Sequence, residues 1–376
     1  MRVRLLVAAV AAAGLVACGG NDGKQALSPE AAVGQFAFND PSLSASGRQS
    51  CASCHASQTG NAAPNDLAVQ LGGPDLDVQG LRASPSIRYL ATNTAFHFDD
   101  EGTPTGGFFW DGRADSLAMQ AGIPLLGARE MANESKAAVV EKMKRAAWAR
   151  DFEALHGASV WGDVDDAFDK LTQAIARFEL EDASFNAFTS KYDAVQRGQA
   201  KLTAQEERGR ILFDDPAKGN CAACHAAPLF TDFTYDNLGV PRNPAIAANA
   251  DPGYYDLGLC ARADLAGRDD LCGAFKVPSL RNVALRKTFF HNGRFSSLKD
   301  ALTFYVQRDT DPKKWYTLNA DGSVNKFDDL PMKYKGNVNT QEAPYNRAPG
   351  DAPALSDAEV DDVIAFLQTL TDGWSR

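Results

Sequence analysis

Histidine and methionine are both scarce in this chain of 376 residues. The five histidines are His55, His97, His156, His225 and His291, and the five methionines are Met1, Met119, Met131, Met143 and Met332. Ligands for a bound metal must therefore come from a short roster. Basic charge is in deficit too: 38 Lys and Arg against 48 Asp and Glu leave −10 at pH 7, which argues against nucleic acid as a partner. The apolar stretch from Leu5 to Ala17 falls short of the roughly 20 residues that span a bilayer. Strand signals are sparse, which excludes a large sheet, yet a 44% hydrophobic composition suffices to bury cores.

Seven cysteines are present, and four of them fall in one repeated pentapeptide. Cys51-Ala-Ser-Cys54-His55 and Cys221-Ala-Ala-Cys224-His225 each offer two thiols that can add to the vinyl groups of one haem, with an imidazole next in line for the iron. Cys-x-x-Cys also serves redox dithiols and zinc sites, but the immediate His recurs both times and no second Cys/His pair nearby closes a tetrahedron. Two covalently bound haem c groups are expected. Cys260 and Cys272 remain as an even pair, which in an oxidising compartment suggests a disulfide closing a short loop, worth about 3 kcal/mol. Two buried free thiols are the other reading.

Met1-Arg-Val-Arg4 and the apolar run after it read as a secretory signal over residues 1–17. The run ends Leu15-Val-Ala-Cys18-Gly19, which resembles a bacterial lipobox. Cys18 is thus expected to carry lipid and to hold a periplasmic protein at the outer membrane, its only membrane contact; an ordinary signal beside a stray Cys18 is the alternative. Residues 18–45, with scattered Gly, Asn and Ser, read as a tether. Losing Arg2 and Arg4 makes the mature chain still more acidic, a weak pointer to a basic electron-transfer partner.

An internal repeat emerges when the two haem motifs are aligned. Gly47-Arg48 precedes the first and Gly209-Arg210 the second; Pro85-Ser-Ile-Arg88 answers Pro278-Ser-Leu-Arg281; Phe109-Trp-Asp-Gly-Arg113 with Leu117 answers Phe290-His-Asn-Gly-Arg294 with Leu298. The shared order argues for duplicated modules. Each closes on an amphipathic helix, through Phe168, Leu171, Ile175 and Phe178 in one and Val360, Val363, Ile364, Leu367 and Leu370 in the other. Thr203 to Glu206 and Ser356 to Glu359 are capping boxes. The expected fold is all-α: two tandem cytochrome c-like domains, 46–190 and 191–376, each around one covalent haem c and joined near residues 182–200.

The repeat also separates the two sites. The step that leads from His291 to Tyr305, a residue able to ligate iron, leads from Trp110 to Pro124, which is not. If the modules superpose, the second haem has both axial positions filled and the first has an open face. Tyr305 equally suits a helical core aromatic.

The stretch Phe108 to Met131 contains Trp110-Asp-Gly-Arg113, Gln120-Ala121, Pro124-Leu125 and Glu130-Met131. In this combination it resembles the bacterial di-haem cytochrome c peroxidase and MauG family. Phe275-Lys-Val-Pro-Ser-Leu-Arg-Asn282 and Phe290-His-Asn-Gly-Arg294 continue the likeness, which covers most of the chain from about residue 40. The resemblance implies that His55 and His225 are proximal ligands and Glu130 the distal acid/base at the first haem. Gln120 becomes its polar neighbour, Pro124 a packing residue on the open face, and Trp110 the aromatic between the haems. A carboxylate in an apolar pocket can take a proton from hydrogen peroxide and return it to the leaving oxygen. A surface salt bridge for Glu130 and a core role for Trp110 are the readings the residues alone favour.

Departures from the family pattern carry information. Where reductively activated members place a movable His this chain has Leu71, so the first site is expected to be open unless His97 substitutes. Tyr305 stands where those enzymes use Met and resembles the MauG-like branch. The Trp that MauG presents to its protein substrate is here Gly219. Ala83 replaces the Asn side chain of the family's calcium site, leaving only backbone carbonyls to hold calcium.

The leading expectation is a periplasmic di-haem peroxidase that reduces hydrogen peroxide at the first haem. A small cytochrome c or cupredoxin would supply electrons, relayed through the second haem. The rivals are a MauG-like enzyme oxidising a side chain of a partner protein, and a non-catalytic di-haem electron carrier. Homodimerisation is what the resemblance implies for assembly.

Overall fold

The computed structural model describes residues 26–375, so the signal over 1–17 and Cys18 lie outside the described residues. Among the described residues ten α-helices carry the fold: α1 Pro29–Asn39, α2 Cys51–Cys54, α3 Leu117–Leu126, α4 Lys136–Met143, α5 Ala149–His156, α6 Val164–Glu181, α7 Lys191–Gln196, α8 Ala204–Asp214, α9 Leu298–Gln307 and α10 Asp357–Gln368. Among the described residues, strand is confined to three two-residue antiparallel ladders: Leu71–Gly72 with Val78–Gln79, His97–Phe98 with Pro104–Thr105, and Tyr235–Asp236 with Phe275–Lys276.

Two large hydrophobic cores divide the described residues. One gathers Val33, Phe38, Leu171, Ile175 and Phe178 with residues as far as Phe185; the other gathers Phe213, Phe230, Phe304, Val363 and Phe366. The amphipathic stripes on α6 and α10 supply the buried faces of these cores. Capping boxes open α8 at Thr203 and α10 at Ser356, satisfying amide donors that the first helical turn leaves unpaired.

The expectation of a tether through residue 45 is corrected by α1. Ser28 caps it, Pro29 starts it, and Ala31, Val33, Ala37 and Phe38 are buried on it. Its apolar face is built mostly of small residues, which give a faint periodic signal but permit a close helix crossing. A Cβ added at Gly34 would sit 1.8 Å from the Ala174 carbonyl oxygen of α6. The second module repeats the device: a Cβ at Gly209 of α8 would sit 1.9 Å from the Asp362 carbonyl oxygen of α10. Phe38 and Phe213 each follow one helical turn later and pack on Phe178 and Phe366.

The alignment of Gly47 with Gly209 is thereby corrected as well. Gly47 lies in an open turn at φ 66°, and the structural counterpart of Gly209 is Gly34. Loops of different length before the two haem motifs hid the match.

Residues 182–200 are themselves folded. Ser190 caps α7, and Asp193 of α7 receives Arg281, a fully buried guanidinium, at 2.7 and 2.9 Å. Across the modules, Arg82 donates to both carboxylate oxygens of Asp256 at 2.6 and 2.7 Å and to Asp111 at 2.6 Å. Cys260 and Cys272 are joined as a disulfide beside a small third cluster of Tyr235, Leu259, Leu265 and Leu271.

Candidate functional site

Each haem motif lines a cavity in its own module. In the first, Ser50 and Ser53 form a capping box that starts α2, turning Cys51, Cys54 and His55 into one cavity of about 550 Å³. His55 Nδ1 donates to the Asn61 carbonyl at 3.1 Å. In the second, Cys221, Cys224 and His225 line a tighter cavity of about 190 Å³, and His225 Nδ1 donates to the Phe230 carbonyl at 3.0 Å. Tying Nδ1 to a carbonyl fixes the tautomer and leaves Nε2 as the ligating nitrogen. Burial lowers both imidazole pKa values, keeping that nitrogen unprotonated.

Glu130, Gln120 and Pro124 all line the first cavity. Three glycines seat Glu130. Gly127, the residue after α3, leaves room for its carboxylate, since a Cβ there would lie 2.3 Å from Glu130 Oε2. A Cβ at Gly72 would lie 2.7 Å from Glu130 Cα, and the Gly73 amide donates to the Glu130 carbonyl at 2.9 Å. Burial raises the Glu130 carboxyl above its ordinary range while Arg113 pulls it down. Gln120, buried on α3, has an Oε1 without a hydrogen-bond partner.

Trp110 lines both cavities. Its indole N–H donates to the Ala83 carbonyl at 2.8 Å, and its own carbonyl accepts from the Lys276 amide of the second module at 2.8 Å. Its counterpart by repeat, His291, faces only the second cavity and stacks on Phe275 at 3.5 Å between ring centroids, 6° from parallel.

Tyr305 is half-buried in the wall of the second cavity, between Phe290 at 5.4 Å and Tyr345 at 6.0 Å. No methionine lines that cavity among the described residues. In the first cavity the further side chains of ligand type are Met131, which belongs to the hydrophobic core, and Tyr254. Leu71 lines it and is 40% exposed. The substitution of His97 for the absent movable histidine is not supported: His97 is exposed on its ladder, hydrogen-bonded to the Ala95 carbonyl, and does not line the cavity.

Glu179 was missed from the sequence. It lines the first cavity from α6, buried and with Oε2 unpartnered. The available signal was an acid one helical turn after Ile175, inside an apolar stripe. Lys276 was also missed as a functional candidate; it is buried, bonded to Tyr235 Oη at 2.7 Å and to the Gly106 carbonyl, with its pKa pushed down to about 7 by desolvation.

The residues present fit two c-type haems. Each cavity presents two cysteines outside any disulfide, one half-buried imidazole with its outer nitrogen anchored, and mainly apolar walls. The arrangement defines a two-module haem protein with unlike sites and one aromatic common to both.

Comparison with known proteins agrees. The family model for di-haem cytochrome c peroxidases matches residues 28–201. The chain is 37% identical over 360 residues to the methylamine utilization protein MauG of Paracoccus denitrificans, covering 91% of this chain and 88% of that one. It is 30% identical to the cytochrome c551 peroxidase of Nitrosomonas europaea, covering 74% of each. The crystal structure of the diheme peroxidase BthA from Burkholderia thailandensis superposes with a TM-score of 0.85 at 40% identity, covering 92% of this chain and 86% of that one. The chain belongs to the di-haem cytochrome c peroxidase and MauG family and carries two covalently bound haem c groups.

Proposed function

We propose that this chain is a periplasmic, lipid-anchored peroxidase that reduces hydrogen peroxide at the site of Cys51, Cys54 and His55. One observation carries the reading: Pro124 faces the first cavity at the helical position where Tyr305 faces the second, and Glu130 and Gln120 stand beside Pro124. A side chain that cannot bind iron leaves one face of that site to a small molecule.

When bound there, the haem supplies an iron centre for peroxide and a route for single electrons. The chain's residues do the rest. The Glu130 carboxylate takes the proton of peroxide and gives it to the departing oxygen, while the free Oε1 of Gln120 accepts a hydrogen bond and orients the oxidant. Two electrons and two protons convert each peroxide to two waters. Trp110, in the wall of both cavities, offers the path between the sites, and Tyr305 with His225 would hold the haem of the second. The electrons come from a small redox protein such as a cytochrome c or a cupredoxin.

Steady-state peroxide consumption by the haem-loaded protein, with a reduced small cytochrome c as donor, tests the reading. Rapid turnover that collapses in Glu130→Gln supports it; a fully loaded protein indifferent to peroxide overturns it.

The second reading is oxidation of a side chain on a partner protein, favoured by Tyr305 in the second cavity and by the 37% identity to a MauG. Gly219 opposes the Trp-mediated route, since even a Cβ there would meet the Leu212 carbonyl oxygen at 2.8 Å. A long-lived oxidised protein with poor turnover of cytochrome c would favour this reading over the first.

A further inference from the structure

Glu179 is the second acid of the first cavity, and the peroxide chemistry above does not use it. It stands on α6 one turn beyond Ile175 and lines the cavity with Cys51, Gln120 and Glu130. Its side chain is buried, 5% exposed, and Oε2 has no hydrogen-bond partner.

Among the described residues, the elements packed against α6 bring it no free cation, and the arginines of the cavity are held elsewhere: Arg82 by Asp256 and Asp111, Arg113 by Asp111 and Arg129 by the Gln79 carbonyl. On α1 the one charged side chain is Glu30; α2 contributes only Cys51 and Cys54; α3 carries no charge. On α4, Lys136 is held by Asp165, Lys142 by the Ser44 carbonyl and Asn133, and Lys144 by Glu141. On α6 itself Arg177 pairs with Glu181, and Lys170 with Asp166. An isolated carboxylate in such a place is costly, so the neutral acid is favoured. Desolvation alone pushes this carboxyl up to about 8.

We propose that Glu179 is a proton-coupled tuning group for the haem attached at Cys51 and Cys54, protonated when the iron is reduced and ionised when it is oxidised. Oxidation adds one positive charge beside the acid and so favours its anion. One electron from an electrode or a one-electron reductant therefore enters the iron together with one proton from solvent, which goes to the Glu179 carboxylate. Between the acid's pKa in the oxidised protein and its higher pKa in the reduced protein, the potential falls as pH rises. A tenfold change in proton activity then becomes up to about 59 mV for a one-electron couple. The inference rests on haem attachment at Cys51 and Cys54, and holds whichever substrate the site takes.

Spectroelectrochemical titration of the di-haem protein over a series of pH values tests it, the two haems being distinguished by spin state. The wild type should show a falling potential at the first haem and Glu179→Gln a flat one over the same range. A Glu179→Gln protein that keeps the slope overturns the proposal. Should that variant fail to mature, redox-triggered infrared difference spectra of the Glu130→Gln protein, which retains Glu179 as the one buried acid lining the cavity on α6, decide the matter. A protonated-carboxyl C=O band, sensitive to deuterium and gained on reduction, supports the proposal, and its absence overturns it. Covalent haem at both motifs with a pH-independent first potential sinks the tuning role alone; haem extractable from Cys51 and Cys54 sinks the attachment beneath it.

Discussion

Pro124 and Tyr305 hold one register in two equivalent helices. Each is the eighth residue of a ten-residue helix, α3 from Leu117 or α9 from Leu298, and each helix is capped by a serine, Ser116 or Ser297. The turns before them match as well: Phe108 bridges Ala114 as Phe289 bridges Phe295, and Phe109 and Phe290 share φ 66°. One structural position therefore carries a non-ligand in one module and a phenol in the other.

Replacing that phenol should convert the second haem. Tyr305→Phe keeps the ring that packs on Phe290 and Tyr345 while removing the only atom able to bind iron. The expected outcome is loss of the low-spin signal of the second haem in the EPR spectrum of the oxidised protein, with the first haem's signal unchanged. A wild-type spectrum in the variant would return Tyr305 to the core aromatics.

Glu130 governs the pH dependence of the reaction with peroxide. Its ionised form accepts the proton, and burial has raised its pKa. The rate should therefore rise with pH through a value above the ordinary carboxylate range and decline below it. Glu130→Gln should slow the step about 10²- to 10⁴-fold, the usual worth of a positioned acid/base, and abolish that dependence. Stopped-flow mixing with peroxide between pH 4 and about 9, a range that brackets the carboxylate's titration, measures both.

Gly127 should matter for chemistry more than for stability. A methyl there meets first the end of a flexible carboxylate, Glu130 Oε2 at 2.3 Å, rather than a backbone carbonyl. Gly127→Ala is expected to load haem normally and melt near the wild-type temperature, while its peroxide rate falls toward that of Glu130→Gln. A rate equal to wild type would mean that the seat of Glu130 is broader than the geometry indicates.

Gly34 and Gly209 should behave in the opposite way. A methyl at either is driven into backbone carbonyl at under 2 Å, and the helices must separate. The expected loss is about 3 kcal/mol or more, at or above the upper end of ordinary overpacking. It is readable as a lowered denaturant midpoint of the haem-loaded protein for each variant alone.

Much of this architecture could be read from residues, because haem attachment demands a local pattern that tertiary context does not override. The pentapeptides at Cys51 and Cys221, the stripes of α6 and α10 and the capping boxes at Thr203 and Ser356 are of that kind. What escaped depends on packing between distant segments. The face of α1 is written in alanine and glycine, whose value lies in the closeness of Ala174, and nothing local announces it. Glu179 looked like an ordinary helix acid until the cavity beneath it was formed. His97 was a ligand candidate as a histidine in an extra loop before Trp110, and its ladder holds it at the surface.

Trp110 takes its indole partner, Ala83, from one module and gives its carbonyl to Lys276 of the other. The repeat that relates the two halves does not account for this seam, which belongs to neither of them. Either half made alone would keep its own core and its own haem motif but lose one side of the partition. The unit on which selection acts is thus the pair, and a substitution on the Lys276 side can be felt at a residue of the opposite half.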